Sequence, residues 1–402
     1  MADLFWPGEE RAGALLSDAA LLDAMIAVEQ GWLVSLAAHG LTPPSDLTGL
    51  VGSADLEALA VEAEGIGNPV MALVSLLRER SGNAWVHRGL TSQDVVDTAL
   101  ILCLRDAVTQ VRVELDAQVT ALAALAEAHR DTVMAGRTLA QHAVPITFGT
   151  KAAVWLSCLL DARDVLDALT WPAQLGGAAG TLAAARALVP DDAAAWDLVV
   201  ATADALHLSA RTPWHTTRRP ITAIGDALVV CTDAWGRIAA DVVTLSRTEI
   251  AELAEPAGEG RGGSSTMPHK RNPVLSVLIR RAAITAPALG STLHLAAALA
   301  DDERPDGGWH AEWATLRDLG RRTATAASQA TELLGGLEVN ADRMAATVAA
   351  HDADLHAEQA SITRFAGTEA SAGPAADPGY RGLADDLISR VLRRAATQKE
   401  SQ

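Results

Sequence analysis

The strongest constraint on the fold of this chain is an apolar periodicity that continues without interruption from Asp97 to about His129. Apolar residues recur there at every third or fourth position, which is the spacing of one face of an α-helix. They are Leu100, Leu104, Val108, Val111, Leu115, Val119, Leu122 and Leu125. A helix of about 33 residues would be roughly 50 Å long at 1.5 Å per residue. Such a helix predicts a fold built from long packed helices.

Four further stretches have comparable patterns, at about 143–170, 221–253, 273–300 and 309–337. Prolines and Gly-rich turns mark several of their edges. Alanine and leucine are abundant, and aromatic residues make up only 3% of the chain. The sequence therefore predicts an all-α fold with an elongated central bundle of about five long helices.

Smaller helical domains are expected on both sides of this bundle. The predicted boundaries are 1–96 for the N-terminal domain, 97–338 for the central bundle and 339–402 for a small C-terminal segment. In the C-terminal segment, a helix from about 341 to 366 precedes a Gly/Pro/Ala-rich linker. The apolar stripes of the long helices are wide, which predicts burial against further copies of the chain.

Composition narrows the classes of partner. A net charge of −18 argues against nucleic acid and anionic membrane surfaces. Cys103, Cys158 and Cys231 are scattered without the spacing of a metal site or a disulfide framework, which fits a reducing cytoplasm. No secretory signal pattern and no run of 18 apolar residues is found. The expected protein is cytoplasmic.

The segment 263–273 reads G-S-S-T-M-P-H-K-R-N-P. It resembles the signature loop of the fumarase/aspartase superfamily, whose members add or remove a group beta to a carboxylate without metal or cofactor. The resemblance implies that Ser264 is the base for the alpha proton. Lys270 and Asn272 would then hold the resulting aci-carboxylate. Ser265 and Met267 complete the expected substrate contacts in this loop. A serine alkoxide needs strong support, since each pKa unit of depression requires ~1.4 kcal/mol.

The segment 87–98 reads H-R-G-L-T-S-Q-D-V-V-D-T and resembles the first conserved region of the same superfamily. Thr91 and Ser92 would bind a substrate carboxylate at the start of the long helix, where the helix dipole favours an anion. Arg88 and Gln93 are further expected substrate contacts. The alternative is an ordinary helix cap formed by Thr91, Ser92 or Asp94.

The segment 136–149 reads G-R-T-L-A-Q-H-A-V-P-I-T-F-G and resembles the second conserved region of adenylosuccinate lyases. The general-acid histidine of that pattern is Leu139 here. His142 would share a face with Leu139 if the stretch is helical, and it could donate a proton, orient substrate or be purely structural. Arg137 and Gln141 are expected substrate contacts.

Two other stretches also depart from adenylosuccinate lyases. Residues 67–74 lack the second essential histidine, and 303–313 lack the serines that serve the nucleotide. These stretches instead resemble bacterial 3-carboxy-cis,cis-muconate lactonising enzymes, and the likeness spans roughly residues 3–345. It implies cofactor-free lactonisation of a small polycarboxylate in aromatic-acid breakdown, by a homotetramer whose three regions come from different subunits.

The missing acid is chemically consistent with this function. Lactonisation read in reverse expels a carboxylate, which leaves readily because its conjugate acid has a pKa of about 4. Nitrite is also a stable leaving anion, so elimination of nitrite from a nitrosuccinate-type substrate fits equally. Elimination of an amine, as in adenylosuccinate lyases, fits less well. The candidates for binding substrate carboxylates are Arg88, Arg137, Arg218, Arg219, Lys270 and Arg271. Arg218 and Arg219 could instead be solvated surface residues.

Overall fold

The computed structural model describes residues 3–258, 260–263, 266–267, 269–366 and 378–400. Within these residues the chain forms fourteen α-helices and two small two-stranded sheets. The helices are α1 (Asp18–Ala38), α2 (Leu56–Ile66), α3 (Val70–Ser81), α4 (Ser92–Ala128), α5 (Phe148–Asp167), α6 (Ala183–Leu188), α7 (Asp192–Ala205), α8 (Arg219–Leu245), α9 (Val274–Ala298), α10 (Gly307–Gly335), α11 (Ala341–Ala350), α12 (Asp352–Leu355), α13 (Ala357–Ala366) and α14 (Ala384–Glu400). The strands are β1 (Val133–Thr138), β2 (Gln141–Thr147), β3 (Leu253–Ala254) and β4 (Glu338–Val339), and short 3₁₀ turns lie at Glu9–Ala12, Ser53–Asp55 and Pro378–Arg381.

The all-α prediction is confirmed, and the five long helices are α4, α5, α8, α9 and α10. The apolar stripe predicted on α4 is buried along its length, with only Leu125 partly exposed. The first helix, α1, begins with a side-chain cap, since the Ser17 side chain accepts a hydrogen bond from the backbone N–H of Ala20 at 3.1 Å.

Two predicted helix boundaries were wrong. The helix expected from about residue 143 begins at Phe148, because 141–147 form β2. This segment contains Pro145 among β-branched residues, a composition that disfavours a helix and suits a strand. The helix expected to end near 253 stops at Leu245, and the chain then enters β3, which pairs with β4.

The chain divides into two compact units. Unit 1 comprises the described parts of 1–110 together with 166–229 and 285–325. Its apolar clusters include Trp32 and Leu36 of α1 packed against Leu198 of α7. The first conserved region lies in this unit.

Unit 2 comprises 111–165, 230–284 and the described parts of 326–402. It contains both small sheets, which carry the second conserved region and the root of the signature loop. A buried amide links its helices: Gln118 accepts a hydrogen bond from the Trp235 indole at 2.7 Å and donates one to the carbonyl of Ala327 at 2.9 Å.

The C-terminal segment differs from its prediction. The single helix expected from 341 to 366 is three helices, α11, α12 and α13, separated at His351 and His356. Of the expected linker, 367–377 lies outside the described residues. Helical structure resumes in α14, where Ile388 packs against Ala126, Ala152 and Ala153.

Two helices, α1 and α9, are long and apolar enough to cross a membrane by length and composition alone. In α1, more than half of the apolar stretch is buried inside the protein, as in a core helix. In α9, only 33% of the apolar stretch is buried. The exposed apolar residues on α9 include Val277, Ile284 and Leu295.

Candidate active site

The signature loop connects β3 to α9 in unit 2, and a pair of hydrogen bonds closes its base. Asn272 donates from its backbone N–H and from its side-chain amide to the carbonyl of Gly262, at 2.8 and 3.1 Å. Gly262 has a φ of +69°, and a Cβ at this position would lie 2.7 Å from the carbonyl oxygen of Asn272. Only glycine fits both the backbone conformation and the space.

The far end of the loop is fixed by Glu255, which caps α9. Its carboxylate accepts hydrogen bonds from the backbone N–H groups of Leu275 and Ser276, at 3.0 and 2.7 Å. A carboxylate at a helix N-terminus is favoured by the helix dipole as well as by these hydrogen bonds. Both ends of the loop are therefore anchored within unit 2.

The predicted base Ser264 and its neighbour Ser265 lie outside the described residues. Other predicted residues of the loop are placed. Met267 and Lys270 are exposed, and the backbone N–H of Lys270 donates to the carbonyl of Met267 at 3.0 Å.

A cleft of about 900 Å³ lies beside the loop, lined by loop residues and by β4 and the start of α11. Its basic lining residues are Arg261, His269, Lys270 and Arg271, and its acidic ones are Glu255, Glu338 and Asp342. Arg261 forms an ion pair with Glu332, and Glu255 caps α9. Lys270 and Arg271 thus bring positive charge to a protein whose net charge is −18.

The second conserved region is a β-hairpin, not a helix, so the shared helical face considered for Leu139 and His142 does not form. Leu139 and Ala140 form the two-residue turn, both with positive φ (48° and 65°), as in a type I′ turn. Leu139, at the position of the missing acid, is therefore 98% exposed at the tip. His142 lies directly across the hairpin from Arg137, so their side chains leave the same face.

Arg137 does not offer a free guanidinium. Its Nη1 and Nη2 atoms lie 2.9 and 2.8 Å from the two carboxylate oxygens of Glu252, which is fully buried. Nη1 also donates to the carbonyl of Ala135 at 3.2 Å. Arg137 was predicted to bind substrate, but in this structure it joins the hairpin to the residue preceding β3. Charged side chains this far apart in sequence give no local signal of their pairing.

His142 projects from β2, and its ring packs edge-on against His351, with ring centroids 4.6 Å apart. Partial burial lowers the pKa of the His142 imidazole, and the nearby charges of Arg137 and His351 lower it further. The carboxylates of Glu252 and Asp354 oppose this lowering. The neutral ring is thus favoured. Its neighbour Gln141 is exposed beside the turn.

The first conserved region begins α4 in unit 1. Asp94 accepts a hydrogen bond from the backbone N–H of Thr91 at 3.0 Å, which is the capping interaction considered from the sequence. The same carboxylate accepts hydrogen bonds from the backbone N–H groups of Gly176 and Gly177, and its Oδ1 lies 3.1 Å from Nε2 of His215. Asp94 therefore fixes the backbone that presents Thr91 and Ser92. Sequence reasoning had treated it only as a possible cap.

Two other predicted contacts of this region have protein partners. Gln93 is fully buried and donates to Asp97 and to the carbonyl of His215, at 3.1 and 2.9 Å. Arg88 is exposed, and its Nε donates to the carbonyl of Ala84 at 3.1 Å. Gln93 thus supports the fold of the region, whereas Arg88 stays accessible to solvent.

Arg218 is not the accessible arginine that was considered. It is buried between Asp97 and Glu312. Its Nη1 atom lies 2.7 Å from Oδ2 of Asp97, and its Nη2 atom lies 2.5 Å from Oε2 of Glu312. Burial opposes its charge, but the two carboxylates outweigh burial and raise the pKa of Arg218. Burial also raises the pKa of Glu312, while Arg218 opposes that rise. Its neighbour Arg219 is exposed.

Within the part of the chain that the structure describes, no cluster of three His, Cys, Asp or Glu side chains could hold a metal ion. The features just described are those of an all-α lyase with a glycine-rich loop. Residues 52–287 match the protein family described as Lyase. The chain belongs to this family, within the fumarase/aspartase superfamily.

Individual relatives catalyse different reactions. The chain is 46% identical to a nitrosuccinate lyase of Streptomyces davaonensis, over 83% of this chain and 74% of the relative. It is 39% identical to a 3-carboxy-cis,cis-muconate cycloisomerase of Bradyrhizobium diazoefficiens, over 96% of this chain and 85% of the relative. The crystal structure of the 3-carboxy-cis,cis-muconate lactonizing enzyme from Pseudomonas putida superposes with a TM-score of 0.78 at 32% identity, covering 96% of this chain and 86% of that one.

Proposed function

We propose that this enzyme catalyses cofactor-free addition and elimination beta to a carboxylate, with a stable anion as the leaving group. The observation that carries the proposal is Leu139, which occupies the acid position at the exposed tip of the hairpin. Leucine cannot donate a proton at this position, which favours a leaving group that departs as an anion. A carboxylate does so readily, and an amine does not.

The proposed reaction is the lactonisation of 3-carboxy-cis,cis-muconate. A carboxylate oxygen of the substrate attacks the double bond, forming the ring C–O bond, and the π electrons move into the neighbouring carboxylate as an aci-carboxylate. Lys270 and Asn272 stabilise that charge, and the Ser264 hydroxyl delivers its proton to carbon. The serine alkoxide then regains a proton from solvent. Holding both ends of the substrate together supplies much of the rate.

Two observations support this substrate. The likeness to the cycloisomerase of B. diazoefficiens extends over 96% of this chain. Lys270 and Arg271 line the cleft beside the loop, where a tricarboxylate needs positive charge. We place this reaction in the cytoplasm, as a step of aromatic-acid breakdown.

Nitrosuccinate is the second candidate substrate, favoured by the 46% identity to a nitrosuccinate lyase. In this reaction Ser264 would take the proton alpha to a carboxylate. The C–N bond would break with its electron pair on nitrite, leaving fumarate. The same loop chemistry serves both substrates, so only the substrate itself distinguishes the two functions.

The test is a direct comparison of both substrates with purified protein. Loss of the diene absorbance of 3-carboxy-cis,cis-muconate reports lactonisation, and released nitrite together with fumarate reports elimination. Ser264→Ala should abolish the active reaction, and Lys270→Ala should lower kcat by about 10²–10³-fold. Thr266→Ala, in the same loop, is the matched control and should stay active. No conversion of either substrate by the unaltered protein would overturn the proposal.

We further propose a homotetramer whose active sites combine the conserved regions of different subunits. The exposed apolar residues Val277, Ile284 and Leu295 on α9 support burial in an assembly. Sedimentation velocity with the active enzyme tests the assembly. A fully active monomer would contradict it.

A further inference from the structure

The C-terminal segment of unit 2 supports the hairpin that carries His142. Val348 of α11 and Leu355 of α12 form a buried cluster with Ala135 of β1, and Val133 packs against it. Residues 341–355 are called the hairpin support below. Burying these side chains fixes the hairpin and the hairpin support against each other.

His351 is held at the junction of the two helices of this support. Its backbone N–H donates to the carbonyl of Val348 at 3.1 Å, and its carbonyl accepts from the N–H of Leu355 at 3.0 Å. These bonds fix the backbone on both sides of His351, at the point from which its side chain reaches the hairpin. Its ring meets the His142 ring at 4.6 Å between centroids and 70° between planes, an edge-to-face contact.

We propose that His351 is a positioning residue that sets the orientation of the His142 imidazole. This proposal deepens the proposed function and rests on it, with His142 in the substrate-orienting role that the second conserved region allows. Four charged or titratable groups act on His142: Arg137 across the hairpin, Glu252 beside Arg137, and His351 and Asp354 on the hairpin support. Arg137 and Glu252 pair with each other, which leaves His351 and Asp354 as separate influences with opposite effects on the pKa of His142.

A neutral His142 suits chemistry that needs no general acid. Burial, Arg137 and His351 all lower the pKa of the His142 imidazole. If activity needs the neutral ring, the rate falls as the pH drops through this lowered pKa, below the ordinary value of about 6.5. Removing the charge of His351 therefore raises the pKa of His142 and moves the acid limb of the profile to higher pH.

The test compares His351→Phe and His351→Ala with the unaltered enzyme. Phenylalanine keeps a ring against His142 and removes the charge, whereas alanine removes both. Two readouts are used: the pH profile of kcat/KM, and the pKa of His142 from NMR titration of ¹³C-labelled histidine, assigned with His142→Gln. We expect a raised His142 pKa in both variants. His351→Ala should also lose about tenfold in kcat with little change in KM, and His351→Phe should lose less.

His356→Phe is the matched control. His356 belongs to the same C-terminal segment, but its ring faces Tyr380 at 6.4 Å. This variant should leave both readouts unchanged. An unaltered His142 pKa in both His351 variants would overturn the proposal. The NMR readout needs no substrate, so a raised pKa supports the link between His351 and His142 even if neither candidate substrate is converted. In that case it is the proposed function that fails.

Discussion

Arg137 and Glu252 form a two-point ion pair that joins the second conserved region to the root of the signature loop. Both carboxylate oxygens of Glu252 are engaged, at 2.8 and 2.9 Å. The carbonyl of Glu252 accepts from the N–H of Asn340 at 3.0 Å, and the next residue, Leu253, begins β3. The position of the hairpin is thus coupled to the strand from which the loop departs.

Replacing Arg137 with methionine should destabilise the protein by about 3 kcal/mol, because Glu252 would be left buried without its cation. Activity should fall together with stability, since the hairpin loses its attachment. Urea unfolding followed by circular dichroism measures the first effect, and kcat/KM at 25 °C the second. Arg390→Met is the control, because Arg390 forms an exposed pair with Asp386 and should leave the urea midpoint nearly unchanged. Equal midpoints for the two variants would contradict the structural role of Arg137.

Substituting alanine for Gly262 should damage the signature loop more than the same change at Gly260. Both glycines have positive φ, so both substitutions carry a backbone cost of about 1–2 kcal/mol. At Gly262 the new Cβ collides with the Asn272 carbonyl, whereas at Gly260 no atom of the described residues would lie within 4 Å of it. We expect at least a tenfold loss of kcat/KM for Gly262→Ala and less than threefold for Gly260→Ala. Similar losses in both would mean that the Gly262–Asn272 closure is unimportant.

The buried cluster around Arg218 predicts a pH-dependent loss of stability. Arg218→Met leaves the carboxylates of Asp97 and Glu312 buried together, which should cost about 3–5 kcal/mol at neutral pH. Burial already raises the pKa of Glu312, and removing Arg218 should raise it further. A carboxyl whose folded-state pKa exceeds its unfolded value loses stability as the pH rises through the folded value. The free energy of unfolding that Arg218→Met loses relative to the unaltered protein should therefore be larger at pH 8 than at pH 5.

Unfolding of Arg219→Met at the same two pH values provides the comparison. Arg219 is adjacent in sequence but exposed, and its replacement should change the free energy of unfolding little at either pH. A pH-independent deficit for Arg218→Met would show that lost packing, rather than the two carboxylates, causes the destabilisation.

The sequence was most informative where structure follows from local periodicity. The apolar stripe of α4 depends on residues within a few positions of each other, so it was predicted correctly. The start of α5 was misjudged because the apolar residues of β2 run directly into those of the helix. Strand and helix cannot be separated by apolar content over so short a stretch.

The candidate site was predictable as a set of motifs but not as a geometry. Leu139 was recognised as the altered acid position, yet its place at a hairpin tip depends on pairing between β1 and β2. Arg137 and Arg218 were considered as substrate contacts because the carboxylates of the substrate need positive charge. Their partners in the structure, Glu252 and the pair Asp97 and Glu312, lie about a hundred residues away. Only the folded chain brings such charges together.

The hairpin tip offers the most direct test of why this enzyme lacks an acid. Leu139→His places a titratable donor where Leu139 is almost fully exposed, so the substitution should fold normally. We expect the variant to eliminate amines from N-substituted succinates at least tenfold faster than the unaltered enzyme does. General acids contribute about 10²–10⁴-fold when well placed. Fumarate absorbance measures the gain.

The gain should depend on protonation as well as on polarity. An exposed histidine has a pKa near 6.5, so the new activity should be greatest below that pH, where the ring carries the proton it donates. Leu139→Gln is similar in size and cannot act as an acid, and it should show no gain. Lactonisation or nitrite release should change little in either variant, because neither the carboxylate that adds in lactonisation nor the nitrite that leaves in elimination needs a proton from an acid. An equal gain with glutamine would show that polarity at the tip, rather than proton donation, determines which leaving groups the enzyme accepts.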